Sequence, residues 1–260
     1  MGVGLGQGRR ALRAALYEFE ERSAAFEVPL HHSRRKLSEL GSLQLSEAWS
    51  HAVKQMVLVD YFELVSEHKF TTALCLNLWD KQTVWVPSAV LTLSRTAPDS
   101  EFIPFTDSSG SALHATPIAA AVGALTEFSE RQALIAFWCG RRESAKMLTY
   151  DPASDIFDCT SKTILRTMLS TGDVILVDAS LDQFENVVIA CFGGRRGGPV
   201  HFACGVSCKI SFRDAVNKAV HELWQSAYHM ELLVGAANRG RIKMSRLEEN
   251  YLKGNGYDTF

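Results

Sequence analysis

The chain has 260 residues, of which 47% are hydrophobic and 22% charged, with a formal net charge of −2 at pH 7. Those values exclude a disordered chain, which needs fewer apolar residues or a far larger net charge. They also give no general electrostatic grip on nucleic acid or an anionic membrane, and no apolar run approaches the ~18 residues of a membrane span. Neither nucleic acid nor membrane is an expected partner, and the expected compartment is cytoplasmic.

A glycine-rich stretch, GVGLGQG (2–8), opens the chain. Residues 11–22 then read ALRAALYEFEER, with Ala11, Ala15, Leu16 and Phe19 on one stripe at helical spacing. This predicts a helix over 9–24, with Glu18 and Glu21 at i and i+3 on nearly one side. His31 and His32, beside Pro29, make only a weak metal pair. A helix is predicted at 43–54. Residues 73–79 and 83–93 flank the turn-like Asp80–Lys81–Gln82, which predicts a hairpin.

A loop of small residues, SSGSALHATP (108–117), leads into a helix predicted over 117–138. A further helix follows at 161–170, then strands at 174–178, 186–192 and 200–206. GGRRGG (193–198) joins the last two strands, and a helix over 211–235 follows. The mixture of helices and hairpins predicts an α+β fold with mixed or antiparallel sheets. No Pro/Ser-rich linker divides it, so residues 1–260 read as a single domain.

An internal repeat stands out. Residues 120–131, AAVGALTEFSER, match 11–22 at seven of twelve positions, including Glu18/Glu127, Glu21/Glu130 and Arg22/Arg131. A third copy at 215–226, AVNKAVHELWQS, keeps the alanines, with Glu222 at the first acidic position and Gln225 at the second. Three pseudo-repeated helices brought together would gather four or five carboxylates. Such a cluster persists only if cations or arginines neutralise it. Carboxylate oxygens suit Mg²⁺, which shares its shell with phosphate oxygens. The small-residue loops could offer backbone amides to phosphate at a helix N-terminus, although the first matches no P-loop. The six cysteines (Cys75, Cys139, Cys159, Cys191, Cys204 and Cys208) form no C-x-x-C pair and read as buried, reduced thiols.

The glycine-opened A-x-x-x-A-L-x-E-x-x-E-R helix resembles the YcaO family, as does the second copy behind its Ser-Gly loop. The A-x-x-x-A-x-x-E-x-x-Q segment near the C-terminus, TVWVPSAV (83–90) and GDVILVDASLDQFENVVIACF (172–192) are similar to it too. The resemblance implies a YcaO-like α+β fold holding ATP through Mg²⁺-binding carboxylates. It implies Glu18, Glu21, Glu127, Glu130, Arg131, Glu222 and Gln225 as Mg·ATP contacts, with Glu21, Glu127 and Glu130 as metal ligands. Family members act on ribosomally made peptides. A Cys, Ser or Thr side chain attacks the preceding carbonyl, ATP phosphorylates the resulting oxygen, and phosphate leaves a thiazoline or oxazoline. Other members make thioamides or amidines. Phosphorylation turns a poor leaving group into a good one, and the protein positions and neutralises charge.

The sequence departs from the family pattern at Ala14, Ala112, Ala119 and Gly123, where polar or charged side chains are expected. The chain begins almost on the first motif, so the family's N-terminal segment is expected to be missing. No proline follows Pro199, so the Pro-rich ending is expected to be absent as well. Two readings compete. One is a compact ATP-dependent cyclodehydratase, favoured because acids that repel one another would drift if nothing used them. The other is a degenerate, non-catalytic subunit that binds precursor peptide or scaffolds a modification complex. A blander account makes the acids salt-bridge partners of Arg22 and Arg131. The resemblance implies a precursor peptide, a peptide-recognising partner related to ubiquitin-activating enzymes, and a flavin-dependent azoline dehydrogenase. Trifolitoxin-type maturation is one such setting. The three helices are expected to turn Glu18, Glu21, Glu127, Glu130 and Glu222 to one cavity. Uncovered apolar surface is expected to drive a dimer or heteromeric complex.

Overall fold

The computed structural model describes residues 9–27, 33–40, 47, 62–78, 80–94, 96–102, 108–140, 145–181, 185–195, 198, 200–241 and 243. The GVGLGQG loop, His31, His32 and, apart from Glu47, the helix expected over 43–54 lie outside them. The chain resolves into two compact units. One is Arg13–Leu113 with Met1–Gly2; the other is His114–Phe260 with Val3–Leu12. No described helix is long and apolar enough to cross a membrane.

The first unit contains most of α1 (Arg9–Ala25), then β1 (Ser33–Arg35), α2 (Phe62–Glu67), β2 (Phe70–Leu76) and β3 (Thr83–Pro87). The strands form an antiparallel sheet in the order β1-β2-β3. Leu37, Leu40, Val65, Phe70 and Ala89 make its core. The hairpin forms where expected. Lys81 takes a left-handed φ of 59°, and the Gln82 amide donates to Asp80 Oδ1 at 2.9 Å. β3 stops at Pro87 instead of reaching 93. Proline has no ladder donor, and the chain turns into a 3₁₀ segment at Ser88–Val90.

Asp99 ties this unit together. It is 7% exposed, holds a left-handed φ of 65°, and accepts from the Thr71 amide at 2.6 Å. His68 Nε2 lies 2.8 Å from it. Burial works against the charged form, but the Thr71 amide and His68 outweigh it and leave the carboxyl below its ordinary value. Asp99→Ala should therefore cost about 2–3 kcal/mol in urea unfolding near neutral pH, since it orphans a buried amide and a ring nitrogen. The folded value is depressed, so the carboxylate's contribution is present at neutral pH and fades as pH falls through the carboxylate range. Equal unfolding midpoints for the variant and the wild type would refute the latch.

The second unit is a layered sheet. It holds α3 (Pro117–Trp138), β4 (Lys146–Leu148), α4 (Cys159–Thr171), β5 (Gly172–Asp178), β6 (Asn186–Gly194), β7 (Phe202–Lys209) and α5 (Phe212–Asn238). The strands run antiparallel in the order β4-β5-β6-β7. In β6, Val187, Val188, Ile189 and Ala190 are all buried because helices cover both faces. Val188, Ala190, Phe192 and Ala203 join the α4 and α5 core, which includes Leu165, Val216, Val220 and Leu223. Val187, Ile189, Val206 and Cys208 pack with Ala133 and, beside it, Leu134 and Phe137 of α3. Each large aliphatic so buried contributes about 1.5–3 kcal/mol. Helix starts are capped by Asp158, which accepts from the Ser161 amide at 2.6 Å, and by Ser211, which accepts from that of Asp214 at 3.3 Å.

The expectation of buried cysteines needs correction. Cys208 is buried and Cys75, Cys191 and Cys204 are half-buried, but Cys139 and Cys159 are exposed. Cys139 follows the last turn of α3 and Cys159 opens α4, and an apolar sequence neighbourhood does not cover a helix end.

Candidate functional site

The candidate site grows from α3. Thr116 caps the helix, accepting from the Ala119 amide at 3.3 Å, and Pro117 occupies the first turn. Ala133, Leu134 and Phe137 hold the helix on the sheet. Glu130, one turn earlier, is thereby carried to the outer strand β7, where its Oε2 accepts from the Cys208 amide at 3.3 Å. Burial pushes Glu130 up to about 8, and Glu222 and Glu127 add to this against the opposing pull of Arg131 and the Cys208 amide. Near neutral pH Glu130 holds its proton. The Cys208 thiol, 3.4 Å from Glu185 Oε2, is pushed up to about 12 by burial, with Glu185 and Glu130 adding to it.

Glu127 lies 3.7 Å from Arg131, and Glu222 is 3.0 Å from Lys218, each pair one helical turn apart. The second unit therefore brings Glu127, Glu130 and Glu222 into electrostatic contact, as the repeat suggested. Gln225 is half-buried on α5, and Arg131 is exposed. Glu18 and Glu21 belong to the first unit, where Arg22 pairs with Glu18 and the Leu113 amide donates to Glu21 at 3.1 Å.

The repeat thus has a common rule. The first acid of each full copy (Glu18, Glu127) pairs with the arginine four residues on, and the second (Glu21, Glu130) accepts from a distant backbone amide. The salt-bridge account describes Glu18 and Glu127, whose exposed pairs are worth about 0.3–0.5 kcal/mol each. It does not describe Glu130. Lys218, the Cys208 amide and Glu185 were not foreseen. Only Lys218 left a signal, its four-residue spacing from Glu222; the others depend on sheet register.

Ala112, Ala119 and Gly123 offer no side-chain polar group to a nucleotide. The Gly123 carbonyl already accepts from the Thr126 hydroxyl at 2.8 Å. The donor set fits Mg²⁺ in charge, because Glu130 lies buried among acids without enough positive charge to ionise it. Among the described residues no three His, Cys, Asp or Glu side chains are grouped to hold an ion. Mg²⁺ commonly takes one or two carboxylates and fills its shell with phosphate oxygens and waters, so this set still suits a phosphate-borne Mg²⁺.

The apolar stripe of the first two copies is not covered. Leu16 is 52% exposed, Phe19 49%, Leu125 56% and Phe128 51%, whereas Val220 and Leu223 at the same positions of the third copy are fully buried. In the second copy the reason is that α3 uses its C-terminal half, not this stripe, to meet the sheet.

A family model described as YcaO cyclodehydratase, ATP- and Mg²⁺-binding, matches residues 3–257. The microcin B17-processing protein McbD of Escherichia coli is 24% identical over 262 residues, covering 98% of this chain and 64% of its own length. A chain of the E. coli microcin synthetase McbBCD complex superposes with a TM-score of 0.82 at 23% identity, covering 99% of this chain and 65% of that one. The same complex with pro-MccB17 bound matches equally well. A YcaO protein of Methanopyrus kandleri bound with AMPPCP and Mg²⁺ has a TM-score of 0.61 at 18% identity, covering 94% of this chain and 57% of that one. The chain thus spans slightly under two thirds of these microcin relatives. These matches establish the YcaO-like α+β architecture with antiparallel sheets. They also correct the favoured expectation of an enzyme, a chain that is itself the ATP-dependent cyclodehydratase. The likeness with the higher TM-score is to one chain of a multi-subunit synthetase, and the polar positions expected of a nucleotide site are Ala112, Ala119 and Gly123.

Proposed function

Because the chain belongs to the YcaO family, we propose that it serves the maturation of a ribosomally made peptide as a non-catalytic subunit. It binds precursor peptide and scaffolds the modification complex. The observation that carries this reading is the uncovered apolar stripe: Leu16, Phe19, Leu125 and Phe128 are each about half exposed at equivalent positions of two copied helices. Burying such area in an interface is favourable at ~25 cal/mol per Å². The partners proposed are a peptide-recognising protein related to ubiquitin-activating enzymes and a flavin-dependent azoline dehydrogenase. The likeness to a chain of the McbBCD complex supports this choice. The 260 residues act as one YcaO-like domain in that assembly.

The acids keep a binding role in this proposal. Glu127, Glu130, Arg131, Glu222 and Gln225 form a Mg·ATP contact within the second unit. When bound, Mg²⁺ would supply the positive charge that Glu130 lacks. Arg131 and Lys218 meanwhile pair with Glu127 and Glu222.

Binding experiments test the reading. Fluorescently labelled precursor and purified partners are titrated with the full chain and with a Leu125→Asp, Phe128→Asp double variant. These side chains are half exposed, so the variant should fold while its affinity for partners drops at least tenfold. Unchanged affinity would remove the stripe from the interface. Failure of the wild type to bind either precursor or partner would end the subunit reading.

A further inference from the structure

The two strands beneath α3 place Cys191 of β6 directly opposite Cys204 of β7. They lie thirteen positions apart in sequence, so no spacing motif joins them. The type of pair follows from two hydrogen bonds. The Gly194 amide donates to the His201 carbonyl at 2.9 Å, so ladder bonds fall on that pair and on every second pair from it: 192/203, 190/205 and 188/207. The Cys208 amide, by contrast, is turned off the ladder toward Glu130. Cys204 has the same parity as Cys208. Cys191 and Cys204 therefore form a non-hydrogen-bonded pair, the kind in which opposite Cα atoms approach to about 4.5 Å. A disulfide spans Cα separations of about 4.4–6.8 Å, so this pair lies at the short end of what can be bridged.

We propose that Cys191 and Cys204 form a reversible dithiol–disulfide site that takes a small-molecule disulfide as its oxidant. The surroundings allow access. The row Val177–Ile189–Val206 lies in the α3 core, while the adjoining row Ile175–Cys191–Cys204 is half-open, with Ile175 46% exposed. Burial and the neighbouring Cys204 push the Cys191 thiol up to about 11, so it stays protonated near neutral pH. Cys204 thiolate attacks one sulfur of the oxidant, forming a mixed disulfide and expelling one thiolate. Cys191, losing its proton, then attacks the Cys204 sulfur and expels the second. The S–S bond of the oxidant breaks and one forms in the protein. Two electrons pass from the dithiol to the oxidant, and the two protons go to the released thiolates. A short Cα separation strains the product and makes it easy to reduce, which keeps the site reversible.

The test uses the folded full chain treated with oxidised glutathione, quenched in acid, alkylated after denaturation and peptide-mapped. The expected result is a monomer two hydrogens lighter, with its 191 and 204 peptides linked, and reversal by dithiothreitol. Phenylarsine oxide, which bridges close thiol pairs, should bind the reduced wild type and lose at least tenfold in affinity to Cys204→Ser. Recovery of Cys191 and Cys204 as thiols when exposed Cys139 and Cys159 have been fully converted would overturn the proposal. So would a glutathione adduct at either residue that never closes. The wild-type map decides the matter even if the variant fails to fold.

Discussion

Glu130→Gln is expected to stabilise the folded chain in alkaline solution and to remove most of the pH dependence of stability between roughly pH 5 and 9. The folded value of Glu130 is raised from 4.5 to about 8. Between those values the folded chain holds a proton that the unfolded chain releases. The favourable contribution is therefore complete below about pH 4.5 and is lost as pH rises through 8. The loss is on the order of 3–5 kcal/mol by the linkage relation. Glutamine keeps the size and the hydrogen bond from the Cys208 amide but cannot ionise. Urea midpoints measured across this range should fall for the wild type and stay level for the variant. Parallel curves would show that Glu130 is not strained by its surroundings. Mg·ATP should bind more tightly as pH rises toward 8 if it binds as proposed, because binding must displace that proton. Calorimetry in two buffers of different ionisation heat reads the proton directly.

Gly205→Ala should be among the most damaging single methyls in the second unit. A Cβ built there would lie 2.1 Å from the Leu223 nitrogen, 2.3 Å from the Ala219 carbonyl oxygen and 2.7 Å from the Glu222 carbonyl carbon. All three are backbone atoms of α5, so no side chain can swing away, and the helix itself must lift from β7. A cost of about 3 kcal/mol or more is expected, at the upper end of overpacking penalties. The displaced helix carries Glu222, one of the groups that raises Glu130. A folded Gly205→Ala chain should therefore show a weaker alkaline loss of stability than the wild type. Wild-type stability together with an unaltered pH profile would contradict the close approach of α5 to β7.

The elements were legible where a period was clean. The helix expected over 117–138 has those limits, the one expected over 211–235 runs Phe212–Asn238, and β5, β6 and β7 contain the strands expected at 174–178, 186–192 and most of 200–206. The repeat was legible too, down to Glu127, Glu130 and Glu222 coming together in the second unit. Periodicity reveals that a face is apolar, but not whether anything covers it. The positions of Leu125 and Val220 read alike in sequence, yet one is 56% exposed and the other fully buried. The partner of Glu130 was hidden for a related reason. It is the Cys208 amide, 78 residues away, and only the register of β7 brings it there. Pro87 shows the opposite lesson: a strand end at that residue could have been read from the missing donor alone.

The central claim is that this YcaO-family chain binds and scaffolds without performing the chemistry. Mass spectrometry of the precursor tests it most directly, because each azoline formed removes one water. A candidate precursor peptide is incubated with Mg·ATP and the chain alone, then with the complete set of partners, a separate cyclodehydratase among them, containing either the wild type or Glu130→Gln. The account predicts no loss of water with the chain alone, and the same full set of dehydrations with the wild type and the variant in the complete mixture. Dehydration by the chain alone, or its abolition by Glu130→Gln in the complete mixture, would contradict it.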